Sequence, residues 1–400
     1  MTEETRGIDV VVVGGCGHVG LPLGIALADA GRSVVAYDID QLAVDTVNAG
    51  RLPFMEDGAQ VFLQRAVENG QFAATTDPSC LSDAEYIIVV IGTPVDEHLN
   101  PDPTAVTNSI ESLLPYLRHG QMVILRSTIF PGVTRMVENL FAANNLVADV
   151  AFCPERIAEG TAMRELYELP QIVASRTDAA SQRAAGLFSS LTDSIVYLEP
   201  EEAELAKLFT NTWRYIKFAT ANQLFMIAND FGLDFERIRS ALAKDYPRAA
   251  DLPRAGFAAG PCLFKDTMQL AAFNNNNFSL GHAAMMINEG LPLYIVSRLA
   301  IEHDLANLTV GILGMAFKGE SDDIRSSLSY KLRRILEFQA KAVLTTDPYV
   351  TVDDRLLPLD DVLERSDVLI VGAPHNEYRS LTIDKPVADV WNILSSGVHV

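Results

Sequence analysis

The chain opens on an alternation of short apolar runs and small-residue stretches. Asp9 to Gly14 is a continuous apolar run ending in glycine, Leu21 to Ala30 has the spacing of a small-residue amphipathic helix, and Ser33 to Tyr37 is a second apolar run. This pattern predicts a β-α-β opening, with Gly31 closing the helix as its C-cap. Further buried-type strands are expected at Tyr86 to Ile91, Met122 to Leu125 and Ala148 to Phe152, with helical patterns between them. Strands that are apolar throughout and separated by helices pack as a parallel sheet covered on both faces. The first domain is expected to span residues 1–197.

From Glu201 the periodicity changes. Leu205, Leu208, Phe209, Trp213, Ile216 and Leu224 recur near the spacing of one buried helical face, and no strand-like run returns before Leu308. Residues 198–300 are therefore expected to be helical, with Asn274 to Asn277 as a solvated turn or helix end. Thr309 to Leu313, Ala342 to Thr345 and Val368 to Val371 then read as buried strands with helices between, making 301–400 a second α/β unit. The two units echo each other. Ser82-Asp83 precedes the strand leading to Gly92-Thr93-Pro94, and Ser366-Asp367 precedes the one leading to Gly372-Ala373-Pro374. The expected fold class is α/β, with two parallel-sheet domains joined by a long-helix domain.

Composition narrows the class. With 48% hydrophobic residues in 400, the chain buries a large core and is not disordered. A formal net charge of −21 excludes non-specific nucleic-acid binding, which needs a basic footprint. An anionic ligand would have to be met by a few local cations and backbone amides. The apolar runs are too short to span a bilayer and Met1 to Ile8 lacks the regions of a signal peptide, so a cytoplasmic protein without membrane partners is expected. Cys16, Cys80, Cys153 and Cys262 are scattered without C-x-x-C pairs or histidines at zinc-ligand spacing, so neither a disulfide framework nor a metal site is expected.

The first chemical motif is Gly15-Cys16-Gly17-His18-Val19-Gly20, a G-x-G-x-x-G between strand and helix. Its glycines permit a tight turn and bring a pyrophosphate close to helix amides, which makes the sheet domains Rossmann-like. Asp38 ends the second strand about 20 residues on, where a carboxylate binds a ribose 2′-hydroxyl and repels a 2′-phosphate. NAD is the expected cofactor. His18 reads as a tolerated variable position rather than a base.

The second motif is Gly256-Phe257-Ala258-Ala259-Gly260-Pro261-Cys262-Leu263-Phe264-Lys265-Asp266, a small-residue turn with a cation and a carboxylate just beyond a thiol. Such surroundings stabilise a thiolate and leave room for a ligand, although an isolated cysteine is more often a small buried hydrophobe. Here the sequence resembles the UDP-glucose/GDP-mannose dehydrogenase family, whose nucleophile motif Cys262, Lys265 and Asp266 match. Further landmarks follow in the family's order. They are Gly92-Thr93-Pro94, Arg126-Ser127-Thr128 with Pro131-Gly132, Cys153-Pro154-Glu155-Arg156 with Glu159-Gly160-Thr161-Ala162, Ala203-Glu204-Leu205-Ala206-Lys207 with Asn211, and Gly314-Met315-Ala316-Phe317-Lys318 with Asp323-Ile324-Arg325-Ser326-Ser327. Ala259 and Pro261 replace a glycine and a serine of the usual motif, and Arg156 replaces the aromatic residue that often follows Pro-Glu.

The resemblance implies oxidation of a nucleotide sugar's C6 alcohol to a carboxylate by two NAD+ in sequence, the aldehyde stage being held on Cys262. It assigns Lys207 and Asn211 to the oxygen that becomes negative, which their spacing of four on one helix allows. It implies Glu155 for hydrolysis, Asp266 for support of Lys207 and a water, and Thr128 for placing that water. Thr93, Glu159, Lys265 and Arg325 would join the Gly15 to Gly20 turn around the cofactor. Arg156, Phe257, Gly260, Phe317 and Lys318 would meet the nucleotide sugar. Arg248 and Arg254 are further cations that answer the phosphate requirement or are solvated loop charges. It also implies a homodimer formed through the long helix. UDP-glucose is the first expectation for the substrate and a UDP-N-acetylhexosamine such as UDP-N-acetylmannosamine the alternative, because Pro154-Glu155-Arg156 is closer to that branch. Rival readings are a single-step hydroxyacid-type dehydrogenase, which needs no thiol, and a nucleotide-sugar-binding protein without catalysis.

Overall fold

The computed structural model describes residues 7–93, 102 and 104–394; Pro94 and Met1 to Arg6, which entered the sequence reading, lie outside them. The chain forms two compact units, residues 1–209 and 210–400.

In the first unit the elements are β1 (Val10–Val13), α1 (Gly20–Asp29), β2 (Val34–Tyr37), α2 (Gln41–Asn48), α3 (Ala59–Glu68), β3 (Phe72–Thr75), β4 (Tyr86–Val89), α4 (Ala105–Leu113), β5 (Met122–Leu125) and α5 (Val133–Ala143). They continue with β6 (Asp149–Phe152), α6 (Ala162–Glu168), β7 (Gln171–Ser175), α7 (Asp178–Phe188) and β8 (Ile195–Leu198). The strands form one eight-stranded sheet in the order β3-β2-β1-β4-β5-β6-β7-β8, whose first six follow the doubly wound dinucleotide-binding order. Val10 and Val12 of β1 pack with α1 and α3, while Val11 and Val13 pack with α4 and α5, so both faces are covered. Each buried valine contributes about 1.5–3 kcal/mol, and no polar alternation is left along the strand. The expected all-parallel sheet needs one amendment: β7 runs antiparallel to β6. Strands β3, β7 and β8 were not foreseen, β3 because Phe-Ala-Ala-Thr is weakly apolar.

Helix α1 departs from the amphipathic expectation. Gly20 through Ala28 are all buried, because Leu63 and Ala66 of α3 and Met163 and Leu166 of α6 cover the side turned from the sheet. Gly31, with φ +92°, follows the helix in the left-handed conformation that glycine accepts without strain.

Helix α8 (Pro200–Asp230) has 31 residues and is followed by α9 (Phe235–Ala243), α10 (Leu263–Phe273) and α11 (Ser279–Glu302). Its expected apolar face splits: Leu208 is buried, whereas Phe209, Trp213 and Leu224 are exposed, in line along the helix with Ile227. The inward face instead carries Glu204, Lys207, Asn211, Tyr215 and Asn222. The second sheet comprises β9 (Thr309–Leu313), β10 (Ala342–Thr346), β11 (Val368–Val371) and β12 (Val387–Ala388), with α12 (Leu328–Glu337) and α13 (Leu359–Arg365) between strands. Its order, β10-β9-β11-β12, is parallel throughout and matches β2-β1-β4-β5 of the first sheet. The sequence echo therefore falls on equivalent strands, β4 and β11. Among the described residues no helix is long and apolar enough to cross a membrane.

Candidate active site

In the first unit the Gly14 to Gly20 turn joins β1 to α1. A Cβ on Gly14 (φ +74°) would lie 2.0 Å from the Val90 carbonyl oxygen, and one on Gly20 would lie 2.4 Å from that of Gly14. A Cβ on Gly17 would meet only the Gly14 carbonyl, at 3.6 Å, so this position is the one left open for a pyrophosphate. Val19 precedes α1 without a side-chain cap, and no acid stands in the first turn. The helix thus keeps its positive end for an anion. Asp38 is half-buried beyond β2 and accepts from the Cys16 amide at 3.0 Å and the Asp40 amide at 3.2 Å. Burial, then the carboxylates of Asp38 and Asp40, push the Cys16 thiol up to about 12. The His18 ring stacks on Phe54 with centroids 4.0 Å apart.

Beyond β4 and β5, the Thr93 hydroxyl donates to the Thr128 carbonyl at 2.7 Å and the Ile91 amide to the Ser127 hydroxyl at 2.8 Å. The Arg126 side chain is fully buried; its Nε donates to Glu155 Oε2 at 2.8 Å, and its terminal nitrogens reach the Cys153 carbonyl and Gln171 Oε1, each at 3.1 Å. Glu155 Oε1 accepts from the amides of Arg156 and Ile157 at 2.7 and 3.0 Å. Both oxygens of Glu155 are therefore engaged. Lys207 Nζ donates to the Glu155 backbone carbonyl, and the Arg156 guanidinium to that of Pro170. Glu159 is half-buried in a loop whose Gly160 and Ala162 amides donate to the buried Glu56 carboxylate at 2.8 and 2.7 Å. Glu204, on α8, accepts from the Gly132 and Thr134 amides at 2.6 and 2.9 Å and so caps α5, whose own N-cap is a glycine.

In the second unit Cys262 is exposed and occupies the N-cap of α10, with no side-chain cap bond of its own. A thiolate there faces the positive end of the helix. Asp266, one turn on, is fully buried: Oδ2 accepts from Asn211 Nδ2 at 2.5 Å and Oδ1 lies 3.4 Å from Lys265 Nζ. The preceding turn is held from behind. Asn222 accepts from the Gly256 amide at 2.9 Å and donates to its carbonyl at 3.0 Å, and Asn288 supports Asn222 at 2.9 Å. Phe257 packs edge-on against Trp391 at 6.2 Å. Gly260, at φ +99°, admits the Phe317 ring, which a Cβ would meet at 2.7 Å.

Lys318 Nζ lies 5.5 Å from the centroid of the Phe317 ring, and Arg325 pairs with Asp323, Nε lying 2.9 Å from Oδ2. Arg248 lies against Tyr246 in its own loop and Arg254 Nε is 3.4 Å from Glu236 of α9, so both have partners outside the Cys262 motif. Sequence reasoning missed Glu56, Phe54, Gln171, Asn222 and Asn288, and gave Arg126 and Glu204 no role. The one readable signal was a charge beside an apolar run, as at Arg126 after β5.

A glycine turn of this geometry, opening a doubly wound sheet and followed by a strand-end acid, defines a dinucleotide-binding protein of the NAD type. The family comparison agrees: the UDP-glucose/GDP-mannose dehydrogenase family's NAD binding domain matches residues 9–192, its central domain 201–290 and its UDP binding domain 311–396. The chain belongs to this family of nucleotide-sugar dehydrogenases. It is 31% identical to the UDP-N-acetyl-D-mannosamine dehydrogenase of Pyrococcus horikoshii over 93% of this chain and 90% of that protein. It is 27% identical to the NDP-N-acetyl-D-galactosaminuronic acid dehydrogenase of Ralstonia nicotianae, over 95% of each. The solved structure of the Pyrococcus horikoshii UDP-D-ManNAc dehydrogenase superposes with a TM-score of 0.90, at 27% identity, covering 98% of this chain and 97% of that one.

Proposed function

We propose that the protein oxidises the C6 alcohol of a UDP-N-acetylhexosamine to the carboxylate, by a four-electron route through Cys262. The observation that carries the reading is the exposed Cys262 at the N-terminus of α10, one turn from an Asp266 held between Asn211 and Lys265. The two relatives, both named for N-acetylated sugars, favour an N-acetylhexosamine substrate over UDP-glucose, as does Pro154-Glu155-Arg156.

The Gly15 to Gly20 turn and Asp38 would hold NAD+, which would supply the hydride acceptor for both oxidations. The alcohol loses a hydride and a proton to become the aldehyde. The Cys262 sulfur then adds to the aldehyde carbon, its proton passing to the new oxygen, which gives a thiohemiacetal. Loss of a second hydride and proton leaves a thioester, and water cleaves the carbon–sulfur bond to release the acid and the thiol. Lys207 and Asn211 donate to the oxygen carrying negative charge at the tetrahedral stages. Thr128 places the hydrolytic water, Glu155, its carboxylate taken up by Arg126 and two amides, holds Lys207 through its backbone carbonyl, and Asp266 orients Asn211. The exposed apolar line on α8 supports a homodimer formed through that helix.

The test is acid and NADH formation from a panel of UDP- and GDP-sugars, with Cys262→Ser beside the wild type. Two NADH per acid and loss of acid formation in the serine variant are expected. One NADH per product, or undiminished acid from the variant, would overturn the thioester route.

A further inference from the structure

The second sheet repeats the first unit's turn-and-acid arrangement with one telling difference. Asp38 at the end of β2 binds a single amide of the glycine turn. Its counterpart at the end of β10 is Asp347, whose side chain is fully buried. Asp347 Oδ2 accepts from the Met315 and Ala316 amides at 2.6 and 2.9 Å and lies 3.1 Å from His375 Nε2. Its Oδ1 accepts from the Tyr349 and Val350 amides at 2.9 and 3.1 Å. Five donors saturate this carboxylate, so it has no capacity for a ribose hydroxyl. The acid that reads a dinucleotide in the first unit is turned inward in the second.

His375 carries the consequence outward. Its side chain is fully buried, edge-on to Tyr349 and Tyr378. The Glu320 amide donates to Nδ1 at 3.0 Å, so Nδ1 bears no proton and Nε2 donates to Asp347. Asp347 thus grips the start of the loop at Met315 and Ala316, and through His375 it grips the end at Glu320. Between the two grips stand Phe317 and Lys318. The Phe317 ring lies against Gly260, two residues before Cys262.

We infer that Asp347 and His375 are positioning residues for the nucleotide sugar, bracing both ends of the Met315 to Glu320 loop so that Phe317 and Lys318 are presented to it. The inference rests on the reading of this unit as the nucleotide-sugar side of the enzyme. It predicts a specific inequality between two near-isosteric variants. Asparagine keeps an acceptor where Nδ1 stands, and glutamine keeps a donor where Nε2 stands. The loop is tied directly through Nδ1.

Isothermal titration of the full-length protein with UDP and, separately, with NAD+ tests this. Expected are a UDP affinity about tenfold weaker in His375→Gln and His375→Leu, the scale of one lost hydrogen bond, a smaller loss in His375→Asn, and an unchanged NAD+ affinity in all three. Equal UDP affinity in wild type and His375→Leu would overturn the brace. So would His375→Asn falling as far as His375→Gln, or an NAD+ loss matching the UDP loss, either of which marks general destabilisation. If His375→Leu does not fold, the asparagine and glutamine variants still decide. A wild-type protein that ignores UDP would instead overturn the functional reading, and the brace with it.

Discussion

At the residue scale, the four cysteines separate by environment. Burial pushes the thiols of Cys16 and Cys153 up to about 12 and that of Cys80 up to about 11, with the Asp38 and Asp77 carboxylates adding to the rise at Cys16 and Cys80. These three stay protonated at neutral pH and are poor nucleophiles. Cys262 is exposed and sits at a helix N-terminus. Brief alkylation near neutral pH, read by peptide mass spectrometry, is therefore expected to modify Cys262 first and to remove activity in proportion. Labelling at Cys16 or Cys153 at a comparable rate would refute that ordering. The position of Cys262 was legible because its motif is local, small residues followed by Lys265 and Asp266. Asn222 and Asn288 were not, since a buried amide that ties a distant turn leaves no pattern along the chain.

Among the elements, the strands of the two sheets were legible where the apolar run was unbroken, as in β1, β5, β9 and β11. They were missed where the run is weakly apolar, as in β3, or lies beyond the doubly wound core, as in β7 and β8. Helix α1 was read as amphipathic because small residues score weakly; its burial on all sides depends on α3 and α6, which periodicity within α1 cannot report. The loop after β9 offers a sharper test of tertiary wiring. Burial alone would raise the Asp347 carboxyl, but the His375 hydrogen bond and the amides around it win and hold it below the usual carboxylate range. A depressed carboxyl stabilises the fold above that range and loses the contribution as pH falls through its folded value. Asp347→Asn is isosteric, yet either orientation of its amide sets an NH2 against two backbone donors. We expect a loss of about 1–3 kcal/mol and a flatter acid limb in denaturant melts followed across pH. An undiminished melting point in this variant would show that the five donors do not depend on the charge.

For the whole molecule, the apolar residues on α8 are a line where sequence pattern and burial part. Trp213 is 58% exposed and Ile227 49%, in line with Phe209 and Leu224. Exposed aromatic and aliphatic side chains aligned on one helix face mark an association surface. On the proposed homodimer, Trp213→Glu places a charge in the middle of that surface. Sedimentation velocity should then move from a dimeric to a monomeric species, and a wild-type protein that already sediments as a monomer would remove the proposal.

The enclosure of α1 has a consequence for a chain that carries 21 more negative than positive charges. Gly20 to Ala28 are walled off from water, while both ends of the helix meet solvent, one at the glycine turn through Gly17 and the other through Asp29 and Gly31. Attraction of a pyrophosphate at the glycine turn would come from dipoles held in place by that packing, and electrolyte would screen both this attraction and the repulsion from the acidic surface. With the two terms opposed in sign and screened together, cofactor capture would vary less with ionic strength than either term alone.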